Sequence, residues 1–311
     1  MKFESIHMRD PFIMVDGGKY YLYGSRGPEC WDKCTGLDVY VSDDLENWSE
    51  PIETFTPPED FWSDTNFWAP EVHKYNNEYY MFVSFVSEKR NRGTQILKAS
   101  SPIGPFLVHS DGPVTPNKWS CLDGTFYVEN GVPYMVFCHE WTQIDDGEIC
   151  VIELSPDLKE AVSEPKILFR ASEPSWSDGH EPGKYVTDGP FMYRTKNGRL
   201  LMIWSSFYKK QYCEAISYSD NGSIFGHWIH DERLLFEKDG GHGMLFKTLE
   251  NELMFIQHMP NGTPMERPCV FKVLEKDDTL FIKYFYPDLT HVIRKTCFRN
   301  LLDNRCRYKF S

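Results

Sequence analysis

The sequence is short of positive charge and of long apolar runs, and these shortages exclude several classes of protein. Its 33 Lys and Arg residues stand against 46 Asp and Glu residues, a net charge of −13, and an acidic surface repels the phosphate backbone of nucleic acids. No stretch approaches the roughly 20 apolar residues of a membrane helix, and Met1 to Asp10 lacks the apolar core of a signal peptide. We therefore expect no nucleic-acid partner, no membrane partner and a cytoplasmic location.

Cysteine occurs without a framework pattern. The nine cysteines are an odd number scattered over 311 residues, whereas disulfide scaffolds are short and pair their cysteines. Only Cys30 and Cys34 lie close together, and no second pair completes a zinc site. We expect free thiols in a reducing compartment.

Long helical periodicity is also missing, whereas aromatic residues make up 15% of the chain beside 21 Gly and 20 Pro. Aromatic side chains suit half-buried pleated surfaces, and Gly and Pro suit the turns between them. This composition predicts an all-β protein.

One short apolar pattern occurs five times and defines the architecture. Each copy follows a turn signal, such as Asp16-Gly17-Gly18 or Asn130-Gly131, and an earlier apolar segment, as the second strand of a β-hairpin does. The copies occupy residues 19–23, 78–82, 133–137, 200–204 and 253–256. Their spacing of 52 to 67 residues is typical of β-propeller blades with long loops. We predict one domain over residues 1–290, a five-bladed β-propeller, with a β-sandwich as the alternative.

Two features complete this prediction. A third apolar segment follows in each unit, and Trp48, Phe106 and Trp228 mark a fourth strand in three units. The segment 291–311 carries six Lys or Arg residues and a single acid, Asp303. We expect this basic C-terminal tail to pack on the propeller or on a partner subunit, and the oligomeric state stays open.

Polar residues recur at one position of the repeat. Twelve residues before the alignment points of four blades, and fourteen before that of the fourth blade, stand Asp10, Ala69, Asp123, His242 and Asp188. Because the first strand of each blade lines the central channel, these positions converge at one end of it. A single such Asp is ordinarily a turn or cap residue, but three carboxylates in one funnel repel one another. At least one should therefore have a raised pKa, which supplies the proton donor and acceptor of glycoside hydrolysis.

Four segments carry a family resemblance: Arg9-Asp10-Pro11, Trp68-Ala69-Pro70-Glu71-Val72, Leu122-Asp123-Gly124-Thr125-Phe126 and Tyr185-Val186-Thr187-Asp188-Gly189-Pro190-Phe191. In this order they resemble glycoside hydrolase family 43, five-bladed propeller enzymes that act on arabinose- and xylose-containing glycans. The resemblance implies that Asp10 is the general base, that Asp123 orients the general acid and tunes its pKa, and that Asp188 is that acid. The family usually has Glu in place of Asp188, so Glu181, in the loop before this strand, is the alternative acid. His242 resembles the family's fifth-blade His, which implies a possible calcium ion bound through water, and no organic cofactor is required.

Sugars also need flat apolar surfaces, because their C–H faces pack on aromatic rings. Trp62, Phe67 and Trp68 precede or begin the inner strand of the second blade, and Trp119 precedes that of the third. We expect these residues at the rim of the pocket, with core packing as the alternative for each. Arg267 is a further expected contact, with a surface ion pair as its alternative.

With these features, the resemblance implies an inverting, exo-acting α-L-arabinofuranosidase that releases terminal arabinose from oligosaccharides. A β-xylosidase or an exo-galactosidase on the same scaffold is the alternative, since sugar choice lies in loop geometry. In another class, a catalytically inactive sugar-binding propeller is consistent with the shorter side chain of Asp188.

Overall fold

The structure, a computed structural model, describes residues 1–283. Within them, five four-stranded antiparallel sheets succeed one another, and the order of strands in each sheet follows the order of the chain. This arrangement confirms the predicted five-bladed β-propeller. The predicted tail, 291–311, lies outside the described residues, as do the last residues of the predicted 1–290 domain.

Each blade contains four consecutive strands. Blade 1 has β1 to β4 at Met8–Asp16, Lys19–Arg26, Leu37–Ser42 and Ile52–Phe55. Blade 2 has β5 to β8 at Thr65–Tyr75, Glu78–Ser87, Arg90–Ala99 and Leu107–Pro113. Blade 3 has β9 to β12 at Cys121–Glu129, Val132–His139, Glu148–Glu153 and Lys166–Arg170. Blade 4 has β13 to β16 at Asp188–Arg194, Leu200–Tyr208, Gln211–Ser219 and Trp228–His230. Blade 5 has β17 to β20 at Gly241–Lys247, Leu253–Met259, Arg267–Lys276 and Thr279–Lys283.

Helical structure in residues 1–283 is limited to short turns. Two 3-10 segments span Phe3–Ser5 and Pro28–Trp31, and the single-turn helix α1 spans Trp141–Ile144. No helix in this part of the chain is long and apolar enough to cross a membrane. The loop segments at Pro28–Trp31 and α1 matter because both reach the mouth of the central channel.

The apolar repeat of the sequence forms the second strand of every blade. Its five alignment residues are all buried between blades, at 2% exposure or less: Leu22, Met81, Met135, Met202 and Met254. A fourth strand is present in all five blades, not only in the three that an aromatic residue marks. Burial of an apolar residue on the second strand of every blade explains why the repeat is visible in the sequence.

Within residues 1–283, neither blade 5 nor blade 1 contributes a strand to the other, and side-chain contacts between them close the ring. The Leu249 N–H donates to Tyr20 Oη (2.8 Å), and Arg9 Nη1 pairs with Glu266 Oε1 (2.8 Å). The Glu266 carboxylate is 4% exposed, and a buried carboxylate requires such a partner. The ion pair therefore links the two ends of the ring beside the channel mouth.

Six cysteines of the described residues are free and buried: Cys30, Cys34, Cys121, Cys138, Cys150 and Cys213. The expectation of free thiols is confirmed for these six.

Candidate active site

A β-bulge interrupts the innermost strand of every blade at the same height. Between two successive paired positions, the innermost strand contains one residue more than the second strand. In blade 1 this occurs between Arg9 and Phe12, and the equivalent positions of β5, β9, β13 and β17 show the same bulge. The extra residue has a positive φ in all five blades, from 49° to 58°. Bulges turn the chain and re-aim a side chain. Here they point one residue from each blade towards the channel mouth.

The five bulged residues are Asp10, Ala69, Asp123, Gly189 and His242. Four of them are the residues that the sequence repeat selects. In the fourth blade the prediction is off by one residue, because the register places Gly189 at the bulge and Asp188 immediately before it. Asp188 still lines the mouth with Asp10, Asp123 and His242. The three carboxylates therefore converge as predicted, although one of them does so from a neighbouring position.

A ring of hydrogen bonds between blades holds the bulges. In four of the five blades, the bulged N–H donates to a side chain on the second strand of the preceding blade. Ala69 donates to Ser25 Oγ (2.8 Å), Asp123 to Ser84 Oγ (3.0 Å), His242 to Ser205 Oγ (2.6 Å) and Asp10 to His258 Nδ1 (3.2 Å). Burial lowers the pKa of His258 to about 3, so its ring is neutral and Nδ1 can accept. The functional side chains thus share a rigid support.

The ring has one exception, between blades 3 and 4. The equivalent acceptor position holds Cys138, which pairs with Leu122 as Ser25 pairs with Arg9. A thiol is a weak acceptor, and the Gly189 N–H donates instead to Asp123 Oδ2 (2.9 Å). In blade 4, the bulged N–H therefore binds one of the three carboxylates and not a side chain of the preceding blade's second strand.

Asp10 is buried and lies among donors and positive charge. Ser25 Oγ donates to its Oδ2 (2.5 Å), and His242 Nδ1 lies 3.2 Å from its Oδ1. Burial by itself would raise its pKa, but the nearby His242 and Arg9 side chains outweigh burial and lower the pKa of Asp10. Asp10 is therefore the carboxylate of the cluster that ionises first.

The pKa values of Asp123 and Asp188 are raised, whereas that of Asp10 is lowered. Burial, and then the charge of Asp10, raises the pKa of Asp123 well above its ordinary value. Burial, and then the charge of Asp123, raises the pKa of Asp188 to about 7. Because three close carboxyl groups titrate together, the cluster carries its first negative charge on Asp10 and retains a proton on the other two. This confirms the prediction that the funnel would raise at least one carboxyl pKa.

Such a split provides a base and an acid at neutral pH. A carboxylate that is ionised can accept a proton from water, and a carboxyl group with a pKa near 7 can donate one. The two groups belong to different blades, Asp10 to blade 1 and Asp188 to blade 4. The geometry therefore suits acid–base chemistry on a ligand held between them.

The carboxylates lie in a cavity of about 270 Å³ with aromatic walls. Trp31 and Trp68 form one wall and meet edge to face at 4.9 Å between ring centroids. Behind Trp68 the Arg92 guanidinium lies 3.5 Å from the ring centroid, and Arg9 lies 5.2 Å from that of Trp31. Trp141, on α1, lines the cavity from the blade 3 side. Flat apolar faces beside carboxylates suit a sugar ring.

Of the predicted sugar-contacting residues, only Trp68 lines the cavity. Phe67 is 1% exposed and packs among Phe55, Phe61 and Phe85, so it belongs to the core. Trp62 packs against the same core and donates to Gln95 Oε1 (2.6 Å). Core packing, which the sequence left open as the alternative, is thus the outcome for both residues.

Trp119 and Arg267 also lie away from the cavity. Trp119 stacks on His139 at 4.2 Å between ring centroids. Arg267 Nη2 lies 2.6 Å from His7 Nε2, and its Nη1 donates to the carbonyl of Glu266 (2.7 Å). These local contacts fix both side chains on the outside of the mouth, which corrects the expectation that they touch the ligand.

Glu181, the alternative acid, is exposed and does not line the cavity. Its loop forms a tight turn in which the His180 N–H donates to the Lys184 carbonyl (2.8 Å). Glu140 does line the cavity, where its Oε2 accepts from Ser120 Oγ (2.5 Å). Of the two candidate acids, Asp188 lines the cavity and Glu181 does not, and burial raises the pKa of Asp188 to about 7.

Several cavity residues were missed by the sequence analysis, above all Arg9, Trp31, Trp141 and Tyr212. Arg9 precedes Asp10 and could have been found from the same repeat. Trp31 and Trp141 lie in loops, and no periodic signal places loop residues at the mouth. Tyr212 lies near the start of β15, beside the hairpin turn that joins β14 to β15, and this position brings it to the mouth.

The possible calcium ion near His242 can be compared with the donors present. Calcium takes six to eight oxygen ligands. His242 Nδ1 lies within hydrogen-bond distance of Asp10 and 3.7 Å from Asp123 Oδ2. Within residues 1–283 no group of three or more His, Cys, Asp or Glu side chains could hold a metal ion. These side chains alone do not form a calcium site, and binding through water stays a prediction.

Comparison with known proteins gives consistent matches. The family model described as glycosyl hydrolases family 43 matches residues 4–275. An endo-arabinase from Bacteroides thetaiotaomicron VPI-5482 is 38% identical, with a TM-score of 0.83 over 89% of this chain and 98% of that chain. The extracellular endo-alpha-(1->5)-L-arabinanase 1 of Bacillus subtilis (strain 168) is 27% identical over 148 residues, 44% of this chain and 45% of that protein. An alpha-L-arabinofuranosidase from Lactobacillus brevis, 16% identical over 92% of this chain and 98% of that chain, shares the fold with a TM-score of 0.71.

Proposed function

The chain belongs to glycosyl hydrolases family 43, and we propose that it hydrolyses α-L-arabinofuranosyl linkages in arabinan-type chains with inversion at the anomeric carbon. The observation that carries this proposal is the split of the carboxyl pKa values in one aromatic-walled cavity, with that of Asp10 lowered and that of Asp188 raised to about 7. Similarity to two proteins named as endo-arabinase and endo-arabinanase supports the choice of sugar.

In the proposed mechanism, Asp10 accepts a proton from a water molecule that attacks the anomeric carbon. Asp188 gives its proton to the departing glycosidic oxygen as the C–O bond breaks. Burial and the neighbouring Asp123 carboxyl group keep Asp188 protonated before the reaction, and the Gly189 N–H holds the orientation of Asp123. The family resemblance supplies these role assignments, and the contacts of Asp10 and Asp123 support them.

Inversion follows from placing the base and the acid on opposite sides of the sugar. Inverting enzymes separate the two carboxyl groups by roughly 6.5–9.5 Å, which leaves room for the attacking water. Proton NMR of the first-formed product tests this, with the inverted anomer expected before mutarotation. Early formation of the retained anomer would make Asp10 a nucleophile and overturn the proposal.

We further propose cleavage within the chain, in preference to the terminal release expected from the sequence. Both named arabinan-degrading relatives are described as endo-acting. In addition, cavity aromatics come from separate sectors of the ring, Trp31 and Trp68 from blades 1 and 2 and Trp141 from blade 3. Surfaces in two sectors can support sugar residues on both sides of the broken bond.

The experiment that tests this proposal compares linear α-1,5-arabinan and arabinooligosaccharides with 4-nitrophenyl glycosides of arabinofuranose, xylose and galactose. Early release of mixed oligosaccharides supports internal cleavage, whereas arabinose as the sole early product indicates an exo-acting enzyme. Turnover of only the β-xyloside or the galactoside would overturn the arabinan assignment. Thermal stabilisation by arabinan without any hydrolysis would indicate an inactive sugar-binding propeller.

A further inference from the structure

Tyr212 lies in the cavity although the repeat gave no signal for it. It is the second residue of β15 and pairs with Phe207 of β14 beside the hairpin turn. The residue is 2% exposed, yet it lines the cavity that contains Asp10, Asp123 and Asp188. A large polar side chain held at this depth requires a hydrogen-bond partner.

The Tyr212 ring is held by close packing. It stacks on His258 with 5.7 Å between ring centroids and an angle of 22°. On another side, a Cβ added to Gly241 would lie 2.6 Å from Tyr212 Cε1, so only glycine leaves room for the ring. His258 also accepts the Asp10 N–H, which places the ring in contact with the scaffold that holds the base. The position of the hydroxyl is therefore fixed by packing.

The hydroxyl contacts one oxygen of Asp188. Tyr212 Oη donates to Asp188 Oδ2 at 3.0 Å. Burial raises the pKa of Tyr212 well above its ordinary value, so the hydroxyl keeps its proton and remains a donor. Among the residues that the structure describes, none makes a hydrogen bond to Asp188 Oδ1. One oxygen of the carboxyl group is thus occupied and the other is available.

We propose that Tyr212 is the positioning residue of the general acid: its hydroxyl holds Asp188 Oδ2, so that the transferable proton resides on Oδ1. This inference rests on the proposed role of Asp188. When Oδ1 passes its proton to the glycosidic oxygen, the negative charge left on Asp188 is stabilised by the Tyr212 hydrogen bond, which strengthens as the charge develops. The same contact limits how far burial can raise the pKa of the acid.

The test is Tyr212→Phe, which deletes one oxygen and keeps the ring. Loss of a donor to the carboxylate destabilises its charged form, so the pKa of Asp188 rises. We expect the alkaline limb of the kcat/KM profile on an arabinooligosaccharide to move up by about one pH unit, and kcat to fall about tenfold. The fall should be smaller for a 4-nitrophenyl glycoside, whose leaving group needs less protonation.

The matched control is Tyr193→Phe, which removes another tyrosine-to-carboxylate hydrogen bond of blade 4, from Tyr193 Oη to Glu275 Oε2 (2.6 Å), outside the cavity. This control should leave both the limb and kcat unchanged. If Tyr212 acted only through packing of its ring, the alkaline limb of folded Tyr212→Phe would not move. That result, or an equal shift of the limb in Tyr193→Phe, would overturn the inference.

A titration without substrate separates this inference from the proposed function. The carboxyl ¹³C signal of Asp188, identified by its loss in Asp188→Asn, should titrate at higher pH in Tyr212→Phe than in the wild type. A higher pKa in a protein that hydrolyses no arabinan would support the hydrogen bond and reject the proposed substrate. Hydrolysis of arabinan with an unchanged Asp188 titration would keep the proposed function and reject the role of Tyr212.

Discussion

Replacing Gly189 with alanine should damage both stability and activity through one added methyl group. A Cβ at this position would lie 2.8 Å from His242 Cδ2 and Cγ and 3.1 Å from His242 Cα. The backbone atom cannot move aside as a flexible side chain can. Gly189→Ala must therefore displace the bulge of blade 4, the His242 ring or both.

The loss of unfolding free energy in Gly189→Ala has two parts, backbone strain and overpacking, and comparison with blade 2 separates them. Ala69 occupies the same bulge in blade 2 with a φ of 49°, close to the 50° of Gly189, so the fold accepts an alanine backbone there. Left-handed strain contributes roughly 1 kcal/mol, and overpacking typically adds about 1–3 kcal/mol. We expect a loss of about 2–4 kcal/mol in unfolding free energy, which for a chain of this size lowers Tm by roughly 3–6 °C.

The rate of hydrolysis by Gly189→Ala should fall more than the loss of folded protein alone would explain. The Gly189 N–H holds Asp123, and His242 lies 3.2 Å from Asp10, so the displaced bulge moves groups on both sides of the cavity. A misplacement of about 1 Å can cost about a hundredfold in rate. Thermal denaturation and kcat/KM on arabinan, measured well below Tm, check the two expectations.

Gly183→Ala is the matched control. Gly183 lies in the loop before β13 with a φ of 78°, and an added Cβ would meet nothing within 4 Å. This variant carries the backbone strain without the collision, so it should lose about 1 kcal/mol and keep its activity. Equal losses in both variants, or full activity in Gly189→Ala, would refute the collision with His242 as the cause.

Other expectations concern the carboxylates and their support. Asp10→Asn should retain its fold by circular dichroism and lose at least about a hundredfold in turnover, as expected for removal of a general base; near-normal turnover would remove Asp10 from that role. Asp188→Ala should slow an arabinooligosaccharide far more than a 4-nitrophenyl glycoside, whereas Glu181→Ala should affect neither; the opposite pattern would identify Glu181 as the acid. Wild-type kcat/KM should decline above about pH 7, because Asp188 must be protonated and its pKa is raised to about 7; a profile that is flat to pH 9 would contradict this. Cys138→Ser offers the Gly189 N–H a second acceptor in place of Asp123, so kcat should fall by up to about tenfold with little change in Tm; unchanged kinetics would show that this hydrogen bond does not support Asp123.

Comparison of the predicted and observed sites shows which inferences depend on the repeat. Asp10 and Asp123 were placed correctly because the hairpins of blades 1 and 3 have the same length, from Asp16 to Lys19 and from Glu129 to Val132. His242 was also placed correctly although the hairpin of blade 5 is longer, because, counted from the bulge, its alignment residue Met254 pairs one position nearer the turn than in the other blades. The fourth blade has a longer hairpin between Arg194 and Leu200, and a count of residues cannot tell how many of the extra ones belong to the strands. The sequence count therefore placed Asp188 at the bulge, where the structure has Gly189. Asp188 is nevertheless the carboxylate of blade 4 that lines the cavity.

The prediction for Phe67 failed for a related reason. Phe67 and Trp68 are adjacent in β5, so their side chains point to opposite faces of the sheet. The sequence shows that one of the two must face inward to the core, but not which. The bulge beside Trp68 decides this, and it is visible only in the register with β6.

The sequence by itself determined the fold, the number of blades and the convergence of three carboxylates, because each blade repeats a local pattern of turn, strand and buried residue. The tertiary structure alone decided the exchange of hydrogen bonds between blades, the departure at Cys138, the arrival of Tyr212 beside Asp188 and the division of the carboxyl pKa values. These features depend on contacts between residues far apart in the chain, such as Asp10 with His258 and Asp123 with Gly189. Local periodicity records which face of a strand is buried, whereas the pKa of a buried group depends on every charge and donor that the folded chain brings near it.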